Sequence, residues 1–442
     1  MWNRSRYLRL AIAASLFAIL LSASPLSPIG GAHEPITTKV TFNKEVVRIL
    51  ERNCLACHAP GKIKSDIPLT TYEEARPWAK AIKEEVLEKR MAPFQAVKGY
   101  GSFVHDYRLP QRDVELLVSW IEGGAPRGEG KDYPKEEIDR LITGNEWELG
   151  EPDLILQPDQ ETRIAPEGDD ETRCFVLPTN LKEDRWISAV DFQPGAGTAV
   201  YSASLLVTPP SGGRVPAKAN QFVVPPSGGR VPTKAGTTNS CPPNAEPIGQ
   251  WAPGQSASRL PSGAAIRLPA NSRVVMQVRY RKNGQAGSDR SSVGLYFAKE
   301  PPGKLVRNVT INAPATVIPA NAESHRVKAL YAINESTEVV AIRPLLFPLA
   351  KSVEVSARRP DGSVEVLIWA KDYRFDWQPT YFFKKPVALP AGARVEVTAY
   401  LDNSGKNRND PNNLAAERRF AGALCELSLT STSTLKQAQL RR

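Results

Sequence analysis

Histidine, methionine and cysteine are all scarce in this chain, at four, three and five residues among 442. The histidines are His33, His58, His105 and His325. Only His325 falls in the β-patterned part after Thr172, which excludes a metal site built there from several imidazoles. Long apolar runs are also missing. Leu10 to Leu21 is the one stretch of about a dozen, and no later segment approaches the ~20 residues of a membrane span. What remains is ordinary: hydrophobic and charged fractions of 41% and 24% are globular values, and the length suits two to three domains. Thirty-eight prolines favour short strands and turns in the larger part.

The start of the chain has the form of an export signal. Arg4, Arg6 and Arg9 precede the Leu10–Leu21 run, which is long enough for a signal core and short for a span. Small residues follow, offering cleavage after Ala32 or near Ser24 and a signal peptide over 1–32. An uncleaved anchor is the competing reading. The mature chain is then expected to be periplasmic or secreted. Loss of those three arginines lowers the formal +10 to about +7. A surface of that sign suits an acidic redox partner or peripheral contact with an anionic membrane face. Nucleic acid is not expected as a partner, because the charges are scattered and export removes it.

Cys54-Leu55-Ala56-Cys57-His58 reads C-x-x-C-H, the attachment signature of a c-type haem. Two thiols one turn apart can add across the two vinyl groups of one haem, and the adjacent imidazole becomes the proximal iron ligand. A zinc site would need a second Cys/His pair at similar spacing, and none exists.

The surrounding pattern predicts a small all-α c-type cytochrome domain over 41–128. Val46 to Leu50 is apolar at helical spacing. Tyr72 to Arg90 reads as one helix, with Trp78, Ile82, Val86 and Leu87 on one face. Pro93 breaks the pattern after Met91. Gln111 to Glu122 reads as a second helix, stopped by Gly123-Gly124. Trp78 and Trp120 are expected in the core at the haem edge. Met91 is the candidate distal iron ligand, since Met1 leaves with the signal and Met276 lies far away. A thioether there raises the potential relative to a second imidazole. His105 is the competing ligand, and core filling is the competing role for Met91.

A linker is expected over 129–170. From Thr172 the pattern changes to short alternating strands, such as 186–192, 273–280, 339–342 and 364–369, with a hairpin at Asp361-Gly362. Turn spacing predicts two stacked β-sandwiches, over 171–312 and 313–432, and a basic tail over 433–442. Within the first, Pro209-Pro210-Ser211-Gly212-Gly213-Arg214-Val215-Pro216 recurs from Pro225. This repeat insertion, 208–240, is expected to be a surface loop. Of the remaining thiols, Cys174 with Cys425 would tie the ends of the β region and leave over Cys241, beside the repeat.

With Ala75-Arg76-Pro77-Trp78-Ala79, Arg90-Met91-Ala92-Pro93 and Gly123-Gly124-Ala125-Pro126 around the haem motif, 41–128 resembles the cytochrome c module of some bacterial multidomain proteins. The part after it resembles the copper type II ascorbate-dependent monooxygenases, the peptidylglycine monooxygenase fold. The stretches that carry this second likeness are Arg173 to Pro178, Gln250 to Gly254, Leu268 to Ala270, Ser292 to Phe297 and Asp402 to Ser404. The resemblance implies a double jelly-roll sandwich. It also implies two coppers, held in that family by histidines and a methionine. Here the corresponding positions fall on Tyr201-Ser202, Arg279-Tyr280-Arg281, Leu345-Leu346-Phe347 and near Leu424, so copper is not expected. Arg279 and Arg281 share one strand face, where two guanidiniums could take an anion or simply be solvated.

The sequence therefore points to an exported mono-haem c-type cytochrome. It would carry one electron between donor and acceptor proteins that the sequence does not name, and be fused to a copper-free monooxygenase-like module with no catalysis of its own. Cys54 and Cys57 would bind one covalent haem c, with His58 and Met91 on the iron. The alternatives are a haem-linked copper monooxygenase and a non-enzymatic partner-binding or assembly protein.

Overall fold

The computed structural model describes residues 38–91, 95–144, 146–208, 241, 245–345, 349–371, 377–407, 410 and 416–431. The expected signal peptide, the repeat insertion from 209 to 240 and the basic tail lie outside them. No helix among the described residues is long and apolar enough to cross a membrane.

The N-terminal part is helical. A wide turn, Phe42–Val46, leads into α1 (Val47–Asn53). There follow α2 (Tyr72–Ala75), α3 (Ala79–Leu87), α4 (Gln111–Glu122) and α5 (Lys135–Thr143). Phe42, Ile49, Leu50, Leu117, Trp120 and Ile138 form its fully buried core. The Trp120 indole N–H reaches the Pro126 carbonyl at 3.0 Å. A capping box between Thr71 and Glu74 starts α2. The single helix expected over Tyr72–Arg90 is interrupted by a tighter turn at Arg76–Trp78. Pro77 is the reason, since it has no N–H to continue the ladder. That turn carries Trp78 outward, 40% exposed, so the core position expected for it is corrected.

The rest is built from strands. The first group comprises β1 (Leu154–Leu156), β2 (Thr162–Ile164), β3 (Glu171–Pro178), β4 (Arg185–Gln193), β5 (Val200–Thr208), β6 (Glu246–Trp251), β7 (Ser258–Arg259), β8 (Ala264–Leu268), β9 (Arg273–Tyr280), β10 (Gly287–Asp289) and β11 (Ser292–Phe297). The second comprises β12 (Lys304–Ile318), β13 (His325–Ala332), β14 (Thr337–Pro344), β15 (Ala350–Arg358), β16 (Val364–Lys371), β17 (Tyr381–Leu389), β18 (Arg394–Leu401) and β19 (Arg418–Ser431). One long sheet runs β1-β11-β4-β8-β12-β19-β14-β17, with β7 on β4. A sheet β3-β9-β5-β6 packs on its first half, and β13-β18-β15-β16 on its second.

Period-2 alternation makes these faces. In β15, Val353, Val355 and Ala357 point inward between partly exposed neighbours. In β18, Val395, Val397, Ala399 and Leu401 do the same. Removing each of these valines and Leu401 from water stabilises the sandwich by roughly 1.5–3 kcal/mol, and the alanine methyls by less. The two sandwiches join where β12 runs parallel to β8, Lys304 opposite Ala264. Ala264, Val306 and Val340 form a small apolar cluster at that seam. The hairpin at Asp361-Gly362 joins β15 to β16, with Gly362 at φ 87°.

Two expectations need correction. The stretch 129–170 is not a free linker. Its α5 buries Ile138 in the helical core, while β1 and β2 pair with β11 and β10. The disulfide is Cys174–Cys241, with Cα atoms 5.5 Å apart, and not Cys174–Cys425. Cys174 belongs to the first sandwich, whereas Cys425 is a free thiol in the core of the second, opposite Ile311. A disulfide fits an oxidising compartment.

Candidate functional site

Cys54 ends α1, its amide on the Leu50 carbonyl at 2.7 Å. The chain then coils so that the amides of Cys57 and His58 both donate to the Cys54 carbonyl, at 3.0 and 2.8 Å. Leu55 and Ala59, both fully buried, anchor this coil in the helical core. Cys54 and Cys57 are free, half-buried thiols. Burial pushes Cys54 up to about 12, reinforced by Cys57. Burial pushes Cys57 up to about 11, against the pull of Lys64 and Lys62. Both are thus neutral nucleophile precursors at pH 7.

The His58 ring lies with Nδ1 2.9 Å from the Ile67 carbonyl. A carbonyl only accepts, so Nδ1 carries the proton and Nε2 keeps its lone pair. Burial lowers the His58 pKa, which holds the ring neutral. An outer hydrogen bond of this kind orients a metal-binding imidazole. Two unpaired thiols and an imidazole with a free Nε2 form a donor set that fits covalent haem. Met91 follows α3, half-buried, its amide on the Glu85 carbonyl at 3.2 Å. It is not part of the apolar cluster of the helical unit. Among the described residues, no three or more His, Cys, Asp or Glu side chains gather as metal donors.

The β region touches this site at points that sequence reasoning missed. Gly254, at φ 74°, lies over Cys57, and a Cβ there would stand 3.2 Å from the Cys57 sulfur. Gly197 backs onto the Gly61 carbonyl, leaving no room for a side chain. The Pro253 carbonyl accepts from the Trp377 indole at 3.2 Å. Pro253-Gly254 is legible as a turn, but nothing in the sequence says what the turn faces.

His105 is drawn toward the same loop. Its Nε2 is 3.0 Å from the Ser258 hydroxyl, and its ring stacks with Tyr107 at 6.0 Å. Burial lowers its pKa, opposed by a hydrogen bond at the Ala257 backbone. The stretch 95–104, expected inside the cytochrome domain, pairs with the second sandwich. Ala96 bridges Ala370 in β16 and Phe103 bridges Phe383 in β17. Both Ala96 and Phe103 are buried in that sandwich's core.

At the positions where the resemblance would place copper ligands, Arg279 and Arg281 do share a face. Their guanidinium carbons stand 5.3 and 4.2 Å from the Tyr201 ring centroid. Arg279 also lies 3.6 Å from the Asp170 carboxylate. Tyr280 points the other way, its hydroxyl donating to Asp289 at 2.6 Å in the first core. Leu424 is buried beside Cys425. Leu345 is buried, while Leu346 and Phe347 lie outside the described residues.

Compared with known proteins, the chain matches no family model. It matches no curated protein either. Among solved structures, one similar chain is from infectious bursal disease virus strain Gx, at 11% identity and a TM-score of 0.19, covering 64% of this chain and 75% of that one. Another is the CBM22-1–CBM22-2 tandem of Paenibacillus barcinonensis Xyn10C, at 9% identity and 0.14, covering 62% and 92%. A third is Bacillus subtilis oxalate decarboxylase, at 7% identity and 0.14, covering 66% and 80%. At these scores the likenesses bear on neither fold nor function.

Proposed function

We propose that the chain is an exported mono-haem c-type cytochrome that carries single electrons, its helical unit joined to a copper-free monooxygenase-like β module. The observation that carries this reading is Cys54-x-x-Cys57-His58 with both thiols unpaired and the His58 Nδ1 tied to Ile67. A covalently bound haem would supply a one-electron Fe(III)/Fe(II) couple.

The chain's own residues divide the remaining work. Cys54 and Cys57 would each hold the haem through one thioether, the thiol S–H and the vinyl π bond giving way to a C–S and a C–H bond with no external oxidant or reductant. The Ile67 carbonyl holds His58 in the tautomer that offers Nε2. Leu55 and Ala59 keep the coil seated on an apolar core and exclude water behind it. Met91 would offer its thioether as a second iron ligand, favouring Fe(II) over what a second imidazole would give.

The test is covalent haem in the purified full chain, read by the pyridine haemochrome spectrum. Wild type should carry one haem per chain joined by two thioethers. Cys57→Ala should leave at most one thioether and shift or abolish that spectrum. A normal two-bond spectrum in Cys57→Ala defeats the assignment.

A further inference from the structure

Residues 252–257 lie between β6 and β7 and belong to no strand, yet side chains from distant parts of the chain hold them. The Gln255 amide closes a turn on the Ala252 carbonyl at 2.9 Å, around Gly254 at φ 74°. Trp377, just before β17, donates its indole N–H to the Pro253 carbonyl at 3.2 Å. The Tyr107 hydroxyl, just before α4, accepts the Ser256 amide at 2.9 Å. Glu148, ahead of β1, accepts the Ala257 amide at 2.8 Å. The Tyr107 and Trp377 rings meet edge to face, with centroids 5.7 Å apart. These bonds set the turn against one thiol of the pair. A Cβ on Gly254 would stand 3.2 Å from the Cys57 sulfur and 3.9 Å from the Ala56 Cβ, with no atom of Cys54 within 4 Å. The closed turn also carries a cost. Gln255 is buried, and its side-chain oxygen finds no hydrogen-bond donor among the described residues. Its side-chain nitrogen reaches the Gln250 carbonyl only at 3.4 Å.

We propose that residues 252–257 are a strap, latched over Cys57 by Trp377, Tyr107 and Glu148, whose local opening governs how fast this thiol reacts in the folded chain. Each latch bond favours the closed form modestly, and the unsatisfied Gln255 oxygen, which water reaches once the turn lifts, favours the open one. A turn held by a few side-chain bonds opens without unfolding the sheets on either side of it. Reaction of a thiol needs access to the sulfur as well as loss of its proton. The strap therefore acts on Cys57 and not on its neighbour Cys54. Its consequence for the molecule rests on the cytochrome reading above: in the folded chain, Cys57 becomes available to a haem vinyl group when the strap lifts, so the β module gates covalent loading of the helical unit.

The experiment uses the full-length haem-free chain with Cys54 and Cys57 as thiols. N-ethylmaleimide is the probe, and peptide mapping gives separate alkylation rates for Cys54, Cys57 and Cys425. Tyr107→Phe combined with Trp377→Phe removes two latch bonds and keeps both rings aromatic. Cys57 should then react roughly tenfold faster than in wild type, while Cys54 and the buried Cys425 keep their wild-type rates. An unchanged Cys57 rate, or an equal rise at Cys54 and Cys57 alone, overturns the proposal. Should Cys425 quicken as well, the second sandwich has loosened and wild type across a urea series decides. Cys57 becoming reactive at lower urea than both Cys54 and Cys425 supports the strap, and Cys57 becoming reactive only together with Cys54 overturns it. The alkylation needs no haem, so it reads the strap whether or not the pyridine haemochrome test upholds the cytochrome reading.

Discussion

At the scale of single residues, the site separates groups by what their neighbours demand. His58 is committed to one tautomer by the Ile67 carbonyl. His105, the only other described histidine in the N-terminal half, is engaged by Ser258 and stacked with Tyr107. Met91 is half-buried after α3, its amide on the Glu85 carbonyl, and ligand and core filler are told apart by substitution. Met91→Ala should remove the thioether absorption of Fe(III) and lower the potential, measured by visible spectroscopy and redox titration. If His105→Ala does so and Met91→Ala does not, the distal ligand is His105.

His105 also carries a pH prediction. Burial holds its folded-state pKa below the ordinary value of about 6.5 kept by the unfolded chain. As pH falls through that value, the unfolded state takes up the proton first. Stability associated with His105 is thus present above about pH 6.5 and is lost as pH falls toward the lowered folded value. The urea midpoint of wild type should drop between about pH 7.5 and about pH 5.5 more than that of His105→Gln. Equal drops in the two proteins reject this assignment.

At the scale of elements, the helix boundaries and the strand pattern follow local chemistry. Gln111–Glu122 ends at Gly123, followed by Gly124 with φ 87°. The strand expected at 273–280 is β9 residue for residue. Pro77 cuts the expected long helix because a missing N–H outweighs a continuous apolar face. The 95–104 segment behaves differently, being short and mixed in polarity, with no period of its own. Its structure is imposed by two sheet edges that need partners for their backbone groups. Phe103→Ala should accordingly destabilise the second sandwich, although residue 103 lies some 200 residues before it in the chain. Loss of this ring from a buried position costs about 3–5 kcal/mol. The check is the urea midpoint of the β-sheet circular dichroism, and a midpoint equal to wild type would place Phe103 outside the core.

At the scale of the whole molecule, one long sheet makes two sandwiches continuous, and the helical unit is fastened to both. Tyr201, Arg279 and Arg281 pack together, with Asp170 beside Arg279, where the resemblance would place copper ligands. Two guanidiniums oppose a cation at that place, and β13 to β19 contain a single histidine, His325. The full chain should retain no stoichiometric copper after dialysis and show no ascorbate-dependent hydroxylation. Near one copper per chain, with the electron spin resonance of nitrogen-ligated Cu(II), would revive the haem-linked oxygenase.

The C-x-x-C-H spacing, the change from helical to alternating periodicity from Thr172 and the strands at 186–192, 273–280, 339–342 and 364–369 are legible in the sequence alone. They depend on covalent spacing and on a two- or 3.6-residue period, both local quantities. Contacts between distant segments carry no such local mark. Which cysteine pairs with Cys174, what Gly254 presses against and which edges hold residues 95–104 were decided by how the sheets pair and stack. The same packing joins helices and sandwiches at Cys57, because backbone groups at sheet edges and close-approach glycines meet their partners only once the chain has folded.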